Sequence, residues 1–341
     1  MTRHGTVKRR GFLTTALQTF GSQLGVAVLS LGNVLVVARV LGPDGRGQVA
    51  FLTAIALFTS NLSTWGIQEA NVNLAGTEPE ARPALATNSI FFSLLLGIGG
   101  AGVVTILAWR VPAITGDANH LLLALTLASI PGLILYVYLR FLIQGDYGFG
   151  VTNLTALLPA VVNVGVNAAL ALAGVLSVGA AVGTWLGGQL LSTAILVWYV
   201  AARAAGFGRP DLALAHRTLH FGIRSHAGRI MLIANYRLDQ WILGAIAGAR
   251  ELGLYSVAVA WAEALFLLPT ALSAVQRPDL VRATAREAVR LTARVFRVSL
   301  VITLVCASAL VLAAPILCVT FFGQDFRGSI DDLRVLAVGA F

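Results

Sequence analysis

The chain has 341 residues, of which 57% are apolar and 11% charged, and its mean hydropathy is +0.82. These values exclude a soluble globular protein and define an all-α, polytopic membrane protein. The net charge of +9 is sorted by side rather than gathered into a nucleic-acid patch: with a cytoplasmic N-terminus, inside segments hold 17 Lys/Arg, outside segments five and the spans two.

A bilayer core of about 30 Å needs roughly 20 apolar residues per helix. Nine full spans are expected, near residues 13–41, 49–74, 84–109, 121–143, 151–173, 178–202, 230–249, 254–275 and 295–322, with a partial tenth from Leu333. The first opens after Lys8-Arg9-Arg10 and carries Gly21-x-x-x-Gly25, a pattern that admits a close helix neighbour. Asn33 falls near mid-depth. Arg39 lies about one turn inside the outer end, within reach of the interface. Gly42-Pro-Asp-Gly-Arg-Gly47 predicts a tight external turn.

The second span ends in Gln68-Glu69-Ala-Asn71-Val-Asn73, read as a hydrated helix end. Pro131 and Pro159 are expected to kink spans four and five. Asn163 and Asn167 share one face of the fifth, as interhelical glue. Gly179, Gly183 and Gly187 form a small-residue packing stripe on the sixth. The polar stretch from Arg203 to Arg229 marks a lobe boundary, dividing the chain into a six-helix lobe, 1–206, and an incomplete second lobe, 207–341. Its His216-x-x-x-His220 pair lacks both the glutamate of a zinc-hydrolase helix and a third ligand, so no metal or other cofactor is expected. Cys306 and Cys318, twelve residues apart on one helix, cannot form a disulfide.

Arg237 and Asp239 sit inside the seventh span. A charge at mid-bilayer costs about 2.5–3.5 kcal/mol, so the two are expected to face protein or a wet cavity. Two residues apart, they point to different sides and cannot simply neutralise each other, whereas Asn235 and Asp239 share a face. Glu263 adds a third intramembrane charge, beside Trp261 in the eighth span. Two readings stay open: a structural Arg–carboxylate pair between helices seven and eight, or a cavity where Arg holds an anion and a carboxylate takes up a cation. Further on, Arg282, Arg286, Arg290 and Arg294 form one basic helical stripe, expected to lie in the cytoplasmic interface against anionic lipid.

The chain also repeats. At an offset of 206, Asn33 falls on Asp239, Gly42 on Gly248 and Gly47 on Gly253. The offset spans an even number of helices, so both copies enter the membrane in the same direction, with a cavity between them. Only 135 positions of the second copy fall within the chain, so an incomplete lobe with one open side is expected.

Two motifs carry a family resemblance: Ala38-Arg-Val-Leu-Gly-Pro-Asp-Gly-Arg-Gly-Gln-Val-Ala50, and Arg237-x-Asp239 followed by Gly253-x-Tyr255, Glu263 and Pro269. They resemble bacterial polysaccharide-biosynthesis flippases of the multidrug/oligosaccharidyl-lipid/polysaccharide exporter (MOP) superfamily. The resemblance implies alternating access and a polyprenyl-pyrophosphate-linked oligosaccharide carried across the cytoplasmic membrane. It implies Arg39 and Arg237 as pyrophosphate contacts; Asn33 and Asn235 complete the candidate substrate set. Asp239 and Glu263 are the candidates for coupling to H+ or Na+. The alternatives are a drug or cation exporter of the same superfamily, and an inactive shortened flippase. A membrane glycosyltransferase, polymerase or ligase would carry a long external catalytic loop, and no catalytic constellation is legible here.

Overall fold

The structure is a computed structural model that describes residues 8–111, 115, 118–204, 206–266, 269 and 284–339. Within those stretches the side chains of 8–17, 227, 232–237 and 285 fall outside the description. The described chain is helical, and six helical stretches are long and apolar enough to cross a membrane: Gln18–Leu62, Pro79–Arg110, His120–Gly145, Phe149–Leu172, Val178–Arg203 and Arg286–Thr320.

The first helix, α1 (Lys8–Leu62), bends at Gly42, whose φ of 66° only glycine adopts without strain. Pro43 then restarts the helix, a position where its missing N–H costs nothing. The six-residue turn expected at 42–47 is therefore a single residue. The second expected span is shorter than 49–74. Its helix stops at Leu62, Trp65 and Gly66 both adopt positive φ (47° and 70°), and α2 (Ile67–Thr77) begins beyond them. The freed carbonyls find partners: Tyr138 Oη donates to the Thr64 carbonyl at 2.8 Å and His226 Nε2 to the Leu62 carbonyl at 2.9 Å. Gln68 and Asn71 are not a hydrated end. They are 0% and 1% exposed, with Asn71 donating to Ser89 Oγ and the Tyr138 carbonyl.

Next come α3 (Arg82–Arg110), α4 (His120–Ala128), α5 (Ile130–Gly145), α6 (Phe149–Leu172) and α7 (Val178–Arg203). The fourth expected span is divided at Ser129, just before Pro131, whereas α6 runs through Pro159 unbroken. Among the described residues the small-residue stripe on α7 makes contact only at Gly179, where a methyl would lie 3.8 Å from Leu122. A methyl at Gly183 or Gly187 would meet nothing, and the close neighbour of Pro159 is Gly188.

The segment leading into α8 (Leu212–Ile246) is fastened to the start of α3. Gly208 N donates to the Pro83 carbonyl at 3.0 Å, and Asn88 and Asp211 exchange two bonds of 2.8 and 3.2 Å. This helix starts well before the expected span, and its first half packs on α2 through Arg229–Glu69 (3.2 Å) and Arg217–Glu78 (2.6 Å). His216 and His220 stack ring on ring at 6.3 Å, and no three-residue metal group exists among the described residues.

Among the described residues, two longer helices follow α9 (Gly248–Ala262): α10 (Ala285–Pro315), which continues through a π-helical turn at Ile316–Thr320, and α11 (Ser329–Gly339). Because α10 is continuous, the basic stripe is not a separate interfacial helix. Arg286, Arg290 and Arg294 ride on the exposed extension of a membrane span that opens with a Thr284–Glu287 capping box. Arg282 lies outside the described residues.

The repeat is visible in space. Gly248 bends the chain with a φ of 87°, as Gly42 does 206 positions earlier. A methyl at Gly47 would collide with the Ala249 carbonyl, and one at Gly253 with the Pro43 carbonyl, a reciprocal pair under the same offset. Asp44 and Arg250, equivalent positions, meet each other at 3.4 Å. Phe51 covers Gly244, and the equivalent residues Val257 and Ala38 share one apolar cluster. This is the self-complementary contact of a two-fold axis.

Two outcomes follow. Gly47→Ala or Gly253→Ala should destabilise the protein by about 1–3 kcal/mol, because carbonyl and methyl cannot share the space; Gly183→Ala should leave the thermal midpoint in detergent unchanged. The Glu78 carboxyl is held below the usual range by the hydrogen bonds from Arg217, burial acting against this and the arginine's charge adding to it. A lowered carboxylate loses its contribution only as pH falls through its folded pKa. Hydrogen exchange around Glu78, corrected for intrinsic rates, should therefore stay constant from neutrality to the ordinary glutamate value of about 4.3 and rise below it. Glu78→Gln should raise it throughout.

Candidate functional site

Between the two repeats lies a cavity of about 750 Å³, walled by both arms of α1, by α5, α6 and α7, and by α8, α9 and Glu263–Ala264. Arg46 stands four residues past the Gly42 bend, about 6 Å along one arm, and Ser22 twenty residues before it, about 30 Å along the other. The cavity runs from the one to the other. At the far end, Arg140 is five residues from the end of α5 and Asn153 four from the start of α6. Halfway, Asn33, Asn163, Asn167 and Trp185 line the wall.

Helical spacing builds each face. On α6, Asn153, Ala156, Ala160, Asn163 and Asn167 recur every three or four residues, the alanines leaving room between the amides. On α7, Ala181, Trp185 and Gln189 recur every four, and on α5 Tyr136 sits one turn from Arg140. Asn167, 1% exposed, donates to Asn33 Oδ1 at 2.7 Å, so the expected glue contact also orients two cavity amides. The Oδ1 atoms of Asn163 and Asn167 are buried without a partner.

Charge is unequal. Among the described residues the lining holds Arg46 and Arg140 against one carboxylate, Glu263. Arg140 has no ion pair or hydrogen bond among those residues, and its Nε is buried. An arginine in a low-dielectric wall with no carboxylate is costly unless an anion joins it.

The sequence-derived candidates divide. Asn33 and Glu263 line the cavity. Arg39 does not: its Nε and Nη2 donate, each at 2.5 Å, to the carbonyls of Phe321 and Thr320 at the end of the π-helical turn. A cation there caps a helix C-terminus. Asp239 turns away from the cavity and accepts from Tyr255 Oη at 2.6 Å, while its neighbour Gln240 faces in. The side chains of Asn235 and Arg237 lie outside the described residues. Arg46 and Arg140 were missed as site residues because each sits near a helix end and reads as a loop charge. The signal for Arg140 is that it is the one charge within α5, one turn from Tyr136.

The fold so built is that of the MOP superfamily. The chain resembles an inward-facing multidrug resistance MATE family transporter of that superfamily at a TM-score of 0.72 and 13% identity, covering 92% of this chain and 77% of the other. An outward-facing MATE structure gives 0.60 and 13%, covering 96% and 78%. A MOP superfamily transporter from Pyrococcus furiosus with a binding pocket of reverse polarity gives 0.59 and 13%, covering 94% and 76%. A search of curated proteins finds no match. The model of the polysaccharide biosynthesis protein family matches residues 36–331, and the chain belongs to that family.

The Asn33–Asn167 bond is open to a thermodynamic check. Asn33→Ala strands a buried amide and should cost about 1–3 kcal/mol in a melting experiment. The double variant Asn33→Ala/Asn167→Ala should cost less than the sum of the two single changes.

Proposed function

We propose that the protein is a membrane transporter that flips a polyprenyl-pyrophosphate-linked oligosaccharide across the cytoplasmic membrane, by alternating access, for cell-surface polysaccharide synthesis. The observation that carries this reading is Arg140, an arginine in the cavity wall with no carboxylate partner among the described residues. A pyrophosphate supplies the missing charge and accepts the bidentate fork of a guanidinium. Family membership and fold support the transporter class. A drug or cation exporter would want more carboxylates than arginines in the cavity, and among the described residues this one has the reverse balance.

In this reading Arg140 holds the anion, while Arg46 lines the opposite end of the cavity near the Gly42 bend. Arg237, three residues before the lining residue Gln240, and Asn235 remain candidates beside Arg140, and Asn33 contacts the head group. Arg39 acts through the helix end it caps. Glu263, in the cavity wall, takes up H+ or Na+, with Asp239 as the second candidate. The stripe of Arg282, Arg286, Arg290 and Arg294 attracts anionic lipid at the inner leaflet, each at about 1 kcal/mol near the surface. The N-terminus lies on that same side.

In proteoliposomes, Arg140→Ala should reduce flipping of a fluorescent lipid pyrophosphate at least tenfold, with Arg140→Lys partly active because the charge remains and the fork does not. Undiminished flipping by Arg140→Ala would overturn the assignment. Glu263→Gln should abolish any dependence of the rate on an imposed proton or sodium gradient.

A further inference from the structure

The anion accounts for one end of the cavity only. Its middle is lined with carboxamides that no pyrophosphate needs. Asn33, Asn163 and Asn167 gather there, and Trp185 stands at the same level: it lies seven residues from the start of α7 and Asn167 five from the end of α6, about 10 and 8 Å from the same surface. Arg140 is near the opposite ends of these helices. The two chemistries are thus separated along the shaft.

Each side of this middle zone has a specific property. Trp185 packs against the apolar core on one side and lines the cavity on the other, so its indole is a fixed platform. Asn163 and Asn167 are 8% and 1% exposed, and both keep a buried Oδ1 with no donor. A buried acceptor without a partner is costly. The group that would satisfy it must bring an O–H or N–H. Carboxamides both donate and accept, which matches a hydroxyl and gives no net charge preference.

We infer that this zone is a sugar subsite: the C–H face of a pyranose stacks on Trp185 while its hydroxyl or acetamido groups bond to Asn163, Asn167 and Asn33, with the pyrophosphate held at Arg140 toward the Ser22 end of the cavity. The inference rests on the transport reading and deepens it, because it makes the first sugar, rather than the anion alone, part of what is recognised. The occupant is a neutral hexose or N-acetylhexosamine.

The test uses the full chain in lipid nanodiscs and two soluble probes, geranyl pyrophosphate and geranyl pyrophosphate carrying one N-acetylglucosamine, titrated calorimetrically. The sugar-bearing probe should bind at least tenfold more tightly to the wild type. Trp185→Ala should erase that difference, Trp185→Phe should keep most of it, and Asn163→Ala should reduce it severalfold. Melting curves identify any variant that fails to fold, in which case the Phe and Asn163 variants decide. Arg140→Gln should weaken both probes alike. If geranyl pyrophosphate binds through Arg140 but the sugar adds nothing, or its increment survives Trp185→Ala, the subsite is wrong and the transport reading stands. If neither probe binds, both fall.

Discussion

Two glycines pressed against two carbonyls organise this protein. At Gly47 and Gly253 the backbones of the two repeats come closer than any side chain allows, and the contact is reciprocal under the offset of 206. A contact of that kind fixes distance and register together. With no side chain to compress, helices cannot slide there without breaking van der Waals contact over the whole patch. The Asp44–Arg250 pair, exposed and open at 3.4 Å, adds little energy but marks the axis. Everything else about the cavity depends on this seam: the walls diverge from it, and Arg46 lies beneath it.

The symmetry of the backbone is not matched by symmetry of chemistry. Asn33 faces the cavity and bonds α6, while its equivalent, Asp239, bonds Tyr255 on α9 instead. The first repeat supplies Arg46, Arg140, Trp185 and most of the amides; the second supplies Gln240 and Glu263 among the described residues. Burying an arginine in a low-dielectric wall is tolerable where rigid neighbours keep water or a ligand at hand, and α5, α6 and α7 form such a wall. The cavity's described arginines thus lie on one repeat and its described carboxylate on the other.

Much of this was legible in the residues. Gly42 with Gly248 and Gly47 with Gly253 declared the parallel repeat before any coordinate, because positive φ and close approach both select glycine. The family motif around Ala38–Ala50 pointed to the superfamily whose fold the chain has. Other features could not be read. Arg39 finds its partners 282 positions away, at a helix end whose π-helical turn has no sequence signature. Gln68 and Asn71 look like a hydrated end because composition cannot tell a polar helix terminus from a polar core. Arg140 looked like a topology charge because it lies three residues from the expected end of its span, and a span's end is the least certain thing hydropathy gives.

The break after Leu62 shows how these levels connect. A helix interrupted inside a membrane protein exposes carbonyls that lipid cannot satisfy, at several kcal/mol each. Here Tyr138 from α5 and His226 from α8 satisfy the Thr64 and Leu62 carbonyls, and Gly66 and Gly222 let the two backbone segments touch. The break is therefore held by one group from each repeat. Moving the repeats apart at this end would strand the Leu62 carbonyl unless water or another donor arrives. At the opposite end the glycine seam would have to part as well. At the first end the Leu62 bond, the Gly66–Gly222 contact and the Arg229–Glu69 and Arg217–Glu78 pairs would all part, and water can replace the polar ones at little cost; at the seam close packing is given up, and water does not replace it. The end held largely by polar groups therefore responds to hydration, whereas the seam where the two glycines meet the two carbonyls does not.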